Sequence, residues 1–217
     1  MMDELEMLKK DWQSKGEQLP KLTYDEIYSM IWKKSSSIVK WIFIISVLEF
    51  LLPHLLYLLP STRDGLDFYE GLGLKNLMIG LTIVQYSVVI YFIYQFYMRY
   101  KEISALDSAK ELMRKIIRTR KTVKNYIIFA LSIFLITFLL MAIGIYLNDS
   151  DTIISVLNLQ DKQQDLSNSN IKSIFIVVLI AFGIVCTALL GLLYFLIYGF
   201  LLRKLGRNFN ELERLEV

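Results

Sequence analysis

The sequence predicts an all-α, polytopic membrane protein: four transmembrane helices with helical extensions on the cytoplasmic side. Three observations carry this expectation. Four runs dominated by Ile, Leu, Phe, Val and Tyr, residues 39–59, 74–98, 122–147 and 174–202, each reach the roughly 20 residues that a helix needs to cross a ~30 Å hydrocarbon core. The chain is 55% hydrophobic and 21% charged, with the charges largely between the runs; four long helices that are apolar all round argue against a water-soluble core. No run alternates regularly between apolar and polar positions, so helices rather than barrel strands are expected to satisfy the backbone in lipid.

Sidedness follows from the basic residues. Seven Lys and Arg fall in residues 1–40, two in 61–75, nine in 99–124, two in 148–172 and four in 203–217. Loops rich in Lys and Arg are retained in the cytoplasm, so both termini and the middle loop are expected there. The expected organisation is a cytoplasmic amphipathic arm 1–38, a bundle 39–202 with a helical cytoplasmic loop 99–123 and outer loops 61–73 and 148–173, and a cytoplasmic tail 203–217. Residues 1–16 are charged and lack the apolar core of a signal peptide, so the first run is expected to direct insertion.

Residues 3–13 can form a short helix with Leu5, Leu8 and Trp12 along one stripe, ended by Gly16 and Pro20. It reads either as a weakly ordered arm or as an amphipathic face for lipid or a partner, with Trp12 as an interfacial anchor. A second helix is better marked: Thr23 is an N-cap, Glu26 completes a capping box, and Leu22 is placed to staple against Ile27. Its face, Tyr24, Ile27, Tyr28 and Ile31, must rest on headgroups, on the end of the bundle or on another protein. Together with Leu5, Leu8 and Trp12 it forms the candidate partner-binding face. Lys33-Lys34-Ser35-Ser36-Ser37 reads as a short polar joint before the first span, and Lys40 and Trp41 suit a headgroup boundary.

Glu49 lies near the centre of the first run. A carboxylate in hydrocarbon is expensive, so it is expected to be protonated, paired or turned toward the bundle interior. Pro53 cannot donate to the Glu49 carbonyl, and His54 lies about 140° around an ideal helix from Glu49, too far for a pair within the helix. Gln85, deep in the second run, is a candidate to bond Glu49 or a backbone carbonyl. Glu49, His54 and Gln85 form the candidate polar site, with packing and hydrogen bonding alone as the plainer role.

The tyrosines from Tyr91 to Tyr100 suit an interfacial aromatic belt. Beyond them Leu106, Ala109, Met113, Ile116 and Ile117 recur at helical spacing among basic residues, with Asp107 placed to cap a helix. The third run offers only Ser132 and Thr137, which can bond their own backbone, and Ala142 and Gly144, which permit close helix approach. In the polar segment that follows, Asp149, Asp151, Asp161 and Asp165 lack the spacing of a calcium loop. Gly183, Thr187, Gly191 and Gly199 then form a small-residue stripe, for packing within the unit or for dimerisation. Cys186, the only cysteine, reads as a small buried hydrophobe. Leu212 and Leu215 extend the fourth helix into the tail.

No catalytic, cofactor or metal site is expected. The chain has one His and one Cys, with no HExxH, nucleophile elbow, Walker or dinucleotide motif. Retention beside the membrane accounts for the basic loops, so nucleic acid is not an expected partner; membrane lipids are, together with a protein partner or a homo-oligomer.

The stretches Leu5-Glu6-Met7-Leu8-Lys9-Lys10-Asp11-Trp12, Leu22-Thr23-Tyr24-Asp25-Glu26-Ile27-Tyr28 and Lys33-Lys34-Ser35-Ser36-Ser37-Ile38-Val39-Lys40-Trp41 resemble uncharacterised four-span inner-membrane proteins of Bacteroidota. The resemblance implies the same architecture over the whole chain. Some of those proteins carry an oxygenase-type label, which does not transfer to a sequence without a cluster of histidines for iron. The expected function is a non-enzymatic membrane scaffold or accessory subunit that binds a partner through cytoplasmic helices. Two alternatives stand beside it: a small oligomeric transporter or channel using Glu49, and a membrane tether of a regulatory protein.

Overall fold

The computed structural model describes residues 6–7, 9, 23–56, 69–104, 108–148 and 168–216. Leu5, Leu8 and Trp12 lie outside the described residues, as do most of both outer loops. Four helices dominate: α1 Tyr24–Leu56, α2 Lys75–Ser104, α3 Ala109–Leu147 and α4 Asn168–Glu216. All four are long and apolar enough to cross a membrane, so the all-α, four-span architecture stands. Consecutive helices pack side by side, α4 closes back onto α1, and α1 and α3 touch across the diagonal over a shorter stretch. One end of this antiparallel ring therefore gathers the start of α1, the α2–α3 connection and the end of α4. It is also the basic end.

The helices outrun the bilayer. The 39 residues of α3 extend about 58 Å and the 49 of α4 about 74 Å, against a hydrocarbon layer of ~30 Å. The surplus lies mainly at the basic end, where Ile31, Ile103, Ala109, Leu112, Ile116, Leu205 and Leu212 form a core of their own. We call this part the head. The indole of Trp32 donates to the Ile103 carbonyl at 2.7 Å and the Lys115 ammonium to that of Glu102 at 2.9 Å. These two donors satisfy carbonyls in the last turn of α2, which have no partner within the helix.

Three local expectations change. The polar joint at residues 33–37 is uninterrupted helix: Ser35 is fully buried and its hydroxyl accepts at 2.9 Å from the Asn208 amide of α4. A small polar side chain at a close helix crossing mimics a linker in composition. Ser108, rather than Asp107, caps α3, its hydroxyl accepting from the Glu111 amide. The third change concerns the face of the capped helix. The Thr23–Glu26 box forms, with the Thr23 amide donating to the carboxylate at 2.8 Å, but Ile31 is buried against the head core and Ile27 and Tyr28 pack half-buried on it. Of the three supports open to this face, the end of the chain's own bundle is the one it takes. Tyr24 alone stays largely exposed, which corrects the reading of Ile27, Tyr28 and Ile31 as a partner-binding face.

On α3 the buried line is Ala109, Leu112, Ile116, Thr119, Val123 and Tyr126. Its alternating spacing of three and four is that of a coiled-coil seam, and it leaves Ile117 outside. The small-residue stripe of α4 faces α3 within the unit: a Cβ on Gly183 would come within 2.7 Å of the Phe138 ring, and one on Gly191 within 3.6 Å of Leu131. Thr187 bonds back to the Gly183 carbonyl. At Gly199 the nearest side chain to an added Cβ is Phe195 of its own helix, at 3.5 Å.

At the opposite end Leu72 and Ile145 are buried beside Leu74, Phe175 and Leu179. The Asn148 side chain donates to the carbonyls of Leu72 and Gly144, and Lys172 donates to the Asn148 carbonyl at 2.7 Å. Gly73, at φ 68°, supplies the left-handed residue that turns the chain into α2. Most of the remaining apolar surface of the spans faces outward, as lipid contact requires.

Replacing Gly183 with Ala forces the new methyl group against Phe138, whereas Gly80 has open space around it. Gly183→Ala is expected to lower the unfolding midpoint in detergent. Gly80→Ala, which replaces a residue about 1 kcal/mol poorer in helix propensity, is expected to leave it unchanged or raise it. Equal effects would contradict the close α3–α4 approach.

Candidate functional site

Glu49 is where three helices meet. Its Oε2 accepts from the phenol of Tyr126 on α3 at 2.6 Å and from that of Tyr198 on α4 at 3.1 Å. Both rings are buried. Tyr126 is held edge-on by Phe92 and Phe96 of α2, with ring centroids 5.5 Å apart in each case, and by Tyr198 at 6.1 Å. Edge-to-face packing fixes the ring plane and therefore aims the hydroxyl. All four helices thus contribute to one carboxylate: α1 carries it, α3 and α4 donate to it, and α2 holds the nearer donor.

Glu49 lies nine residues beyond Lys40, Tyr126 two beyond Lys124 and Tyr198 five before Arg203. At 1.5 Å per residue these are about 14, 3 and 8 Å from the nearest exposed base on each helix, so the two donors stand nearer the basic flank of their helices than Glu49 does of its own.

Away from the basic end the cluster opens onto a cavity of about 390 Å³. Glu49, His54 and Gln85, singled out in the sequence, all line it, with Tyr86, Tyr126, Thr137 and Tyr194. The hydrogen-bond partners of Glu49 are the two phenols rather than Gln85 or His54. His54 sits between the rings of Phe50 and Tyr86, at 4.8 and 5.2 Å, and its Nδ1 is 2.6 Å from the Phe50 carbonyl. A carbonyl can only accept, so Nδ1 carries the proton and Nε2 is the ring's remaining polar atom. Thr82 and Thr137 bond back to carbonyls one turn earlier. Among the described residues no group of three or more His, Cys, Asp and Glu side chains is placed to hold a metal ion.

Tyr126 and Tyr198 were not singled out from the sequence. Tyr126 completes the seam of threes and fours that begins at Ala109, and Tyr194 and Tyr198 share one face of α4 a turn apart. That spacing is the signal that marks them as inward-facing; nothing local says they meet Glu49.

Fold and site define a four-span helical membrane protein with a polar tie and a cavity inside the bundle. The chain belongs to the family described as a domain of unknown function, DUF8845, whose model matches residues 25–217. No curated protein and no solved structure matches it significantly.

The two phenols donate to the same oxygen, so they are coupled. Tyr126→Phe and Tyr198→Phe are each expected to destabilise the bundle by on the order of 1 kcal/mol, the usual scale for polar contacts between membrane helices. The double variant is expected to cost more than the sum, because the carboxylate then loses both donors. Unfolding titrations in mixed micelles measure all three; strict additivity would contradict a shared acceptor.

Proposed function

We propose that the chain is a non-enzymatic membrane adaptor. In this reading it sits in a bacterial inner membrane, with the basic end and both termini in the cytoplasm, and holds a partner protein beside the bilayer through its head. The head's core is the observation that carries the reading. Crossing the bilayer needs only about 20 residues per helix, yet here four helices continue together around Ile31, Ile103, Leu112, Leu205 and Leu212. Apolar burial outside the lipid holds a defined surface in water.

Charge on that surface suits an acidic partner. Lys110, Arg114, Arg118 and Lys121 are exposed along one face of α3. Beside them a groove between α3 and α4 is lined by Met113, Ile117 and Phe209 and edged by Lys110, Arg114, Glu111 and Glu213, so the cations along α3 rather than the groove itself set the sign. An amphipathic helix with acidic flanks has the matching chemistry. Anionic headgroups compete for the same cations at about 1 kcal/mol each. A tether for a regulatory protein is the same mechanism with the partner's class specified. Oxygenase activity is not part of the proposal, because a single histidine cannot furnish the two that a non-haem iron triad takes. The cavity beside Glu49 favours a second reading, a small oligomeric transporter or channel.

Purification from native membranes in mild detergent, read by quantitative mass spectrometry, tests the adaptor. A stoichiometric partner is expected with the wild-type chain. It is expected to be lost from the Lys110→Gln, Arg114→Gln, Arg118→Gln triple variant while insertion and unfolding midpoint are retained. A clean homo-oligomer, or a partner indifferent to these charges, would contradict it. The transporter reading instead requires solute flux in reconstituted vesicles that disappears in Glu49→Gln.

A further inference from the structure

We propose that the cavity beside Glu49 is a binding site for a small organic ammonium ion carrying an apolar or aromatic substituent. The inference is independent of the adaptor reading and rests on the composition and size of the cavity. Its volume of about 390 Å³ falls in the range of small-molecule sites, ~300–1,000 Å³, and is far larger than a bare ion needs. Its wall is strongly aromatic: Phe50, Tyr86, Phe129, Phe134 and Phe138 line it. Its floor carries a carboxyl group, and among the described residues no Lys or Arg lines it, His54 being the one basic side chain on the wall.

The signs agree. Aromatic faces carry negative potential and attract quaternary and substituted ammonium groups, more strongly when water is excluded. Glu49 is the one carboxyl group on the wall, and a bound cation favours its charged form. Tyr126 and Tyr198 both occupy Oε2; each carboxylate oxygen has room for further acceptance, so the group can stay bonded to the bundle while it faces a ligand. A metal ion is poorly served, because calcium takes six to eight oxygens and magnesium keeps its waters. A purely neutral ligand would make no use of a carboxyl group able to carry charge opposite a bound cation. An ammonium with methyl or methylene substituents matches both features, since its charge is spread over apolar surface and it sheds water more readily than a compact cation.

Benzyltrimethylammonium and its neutral isostere neopentylbenzene are the probes, titrated into the full chain in lipid nanodiscs by isothermal calorimetry. Saturable binding of the cation is expected to the wild-type chain, with the isostere at least tenfold weaker. Glu49→Gln keeps an oxygen acceptor for both phenols and is expected to bind the cation at least tenfold more weakly at an unchanged unfolding midpoint; Glu49→Asp, which keeps the charge, is expected to recover part of the affinity. Phe134→Leu leaves the carboxylate cluster untouched and is expected to lower affinity several-fold, which keeps the proposal testable if Glu49 variants fail to fold. Absence of saturable binding to the wild-type chain, equal binding of the neutral isostere, or equal binding by Glu49→Gln or Phe134→Leu would overturn it and leave Glu49 as a tie between helices.

Discussion

A carboxylate in an apolar layer needs donors, and in this chain the donors come from other helices. Glu49 on α1 takes its hydrogen bonds from Tyr126 on α3 and Tyr198 on α4, so the cost of burying it is offset only when three helices stand in one register. Helices in lipid gain little from apolar contact, because lipid tails are as apolar as leucine. A polar contact is therefore a stronger determinant of register than the many Leu and Ile around it. The cluster also divides the molecule. Toward the basic end Phe96, Val123 and Leu202 pack tightly beside it and lead into the head; away from that end the helices separate enough to leave a cavity.

The head follows different physics. Outside the hydrocarbon layer burial of Ile31, Leu112, Leu205 and Leu212 is driven by water, as in a soluble bundle. The Ser35–Asn208 bond, buried between α1 and α4, supplies in water the kind of register contact that Glu49 supplies in lipid. Because α1, α3 and α4 run without a break from one region to the other, the two contacts share rigid rods. A displacement of α1 at Glu49 is transmitted to the head along a helix rather than through a loop, and any ligand in the cavity would bear on the surface that the adaptor reading assigns to a partner.

The four spans were legible because they depend on composition over windows of about 20 residues. The Thr23–Glu26 box and the helical tail to residue 216 were legible because their signals are local. What failed was pairing over distance. Glu49 announced itself as a residue needing partners, but Tyr126 and Tyr198 lie 77 and 149 positions away, and among many aromatic residues near the membrane boundary nothing local distinguishes a donor from a belt residue. The Lys33–Ser37 stretch misled for a related reason: a serine at a helix crossing and a serine in a linker look alike until the partner, Asn208, is known. Ile27, Tyr28 and Ile31 were correctly seen as a face requiring cover, while the identity of that cover, the head core to which α2, α3 and α4 all contribute, was set by helix length beyond the spans.

The most direct test of this account is pairwise cross-linking in native membranes. With Cys186 replaced by Ser, Ile42→Cys is combined in turn with Val123→Cys, Leu202→Cys and Val177→Cys, and treated with a short bifunctional thiol reagent, in chains that keep Glu49 and in chains that carry Glu49→Ala. Ile42, Val123 and Leu202 belong to the core beside the carboxylate cluster, whereas Val177 lies 25 residues from Leu202 along α4, about 38 Å at 1.5 Å per residue. Intramolecular joining of position 42 to 123 and 202, but not to 177, with a lower yield in Glu49→Ala, is the predicted result. Failure of both near pairs with Glu49 in place, joining at 177 to the same extent, or joining indifferent to Glu49→Ala would contradict a bundle held in register at Glu49.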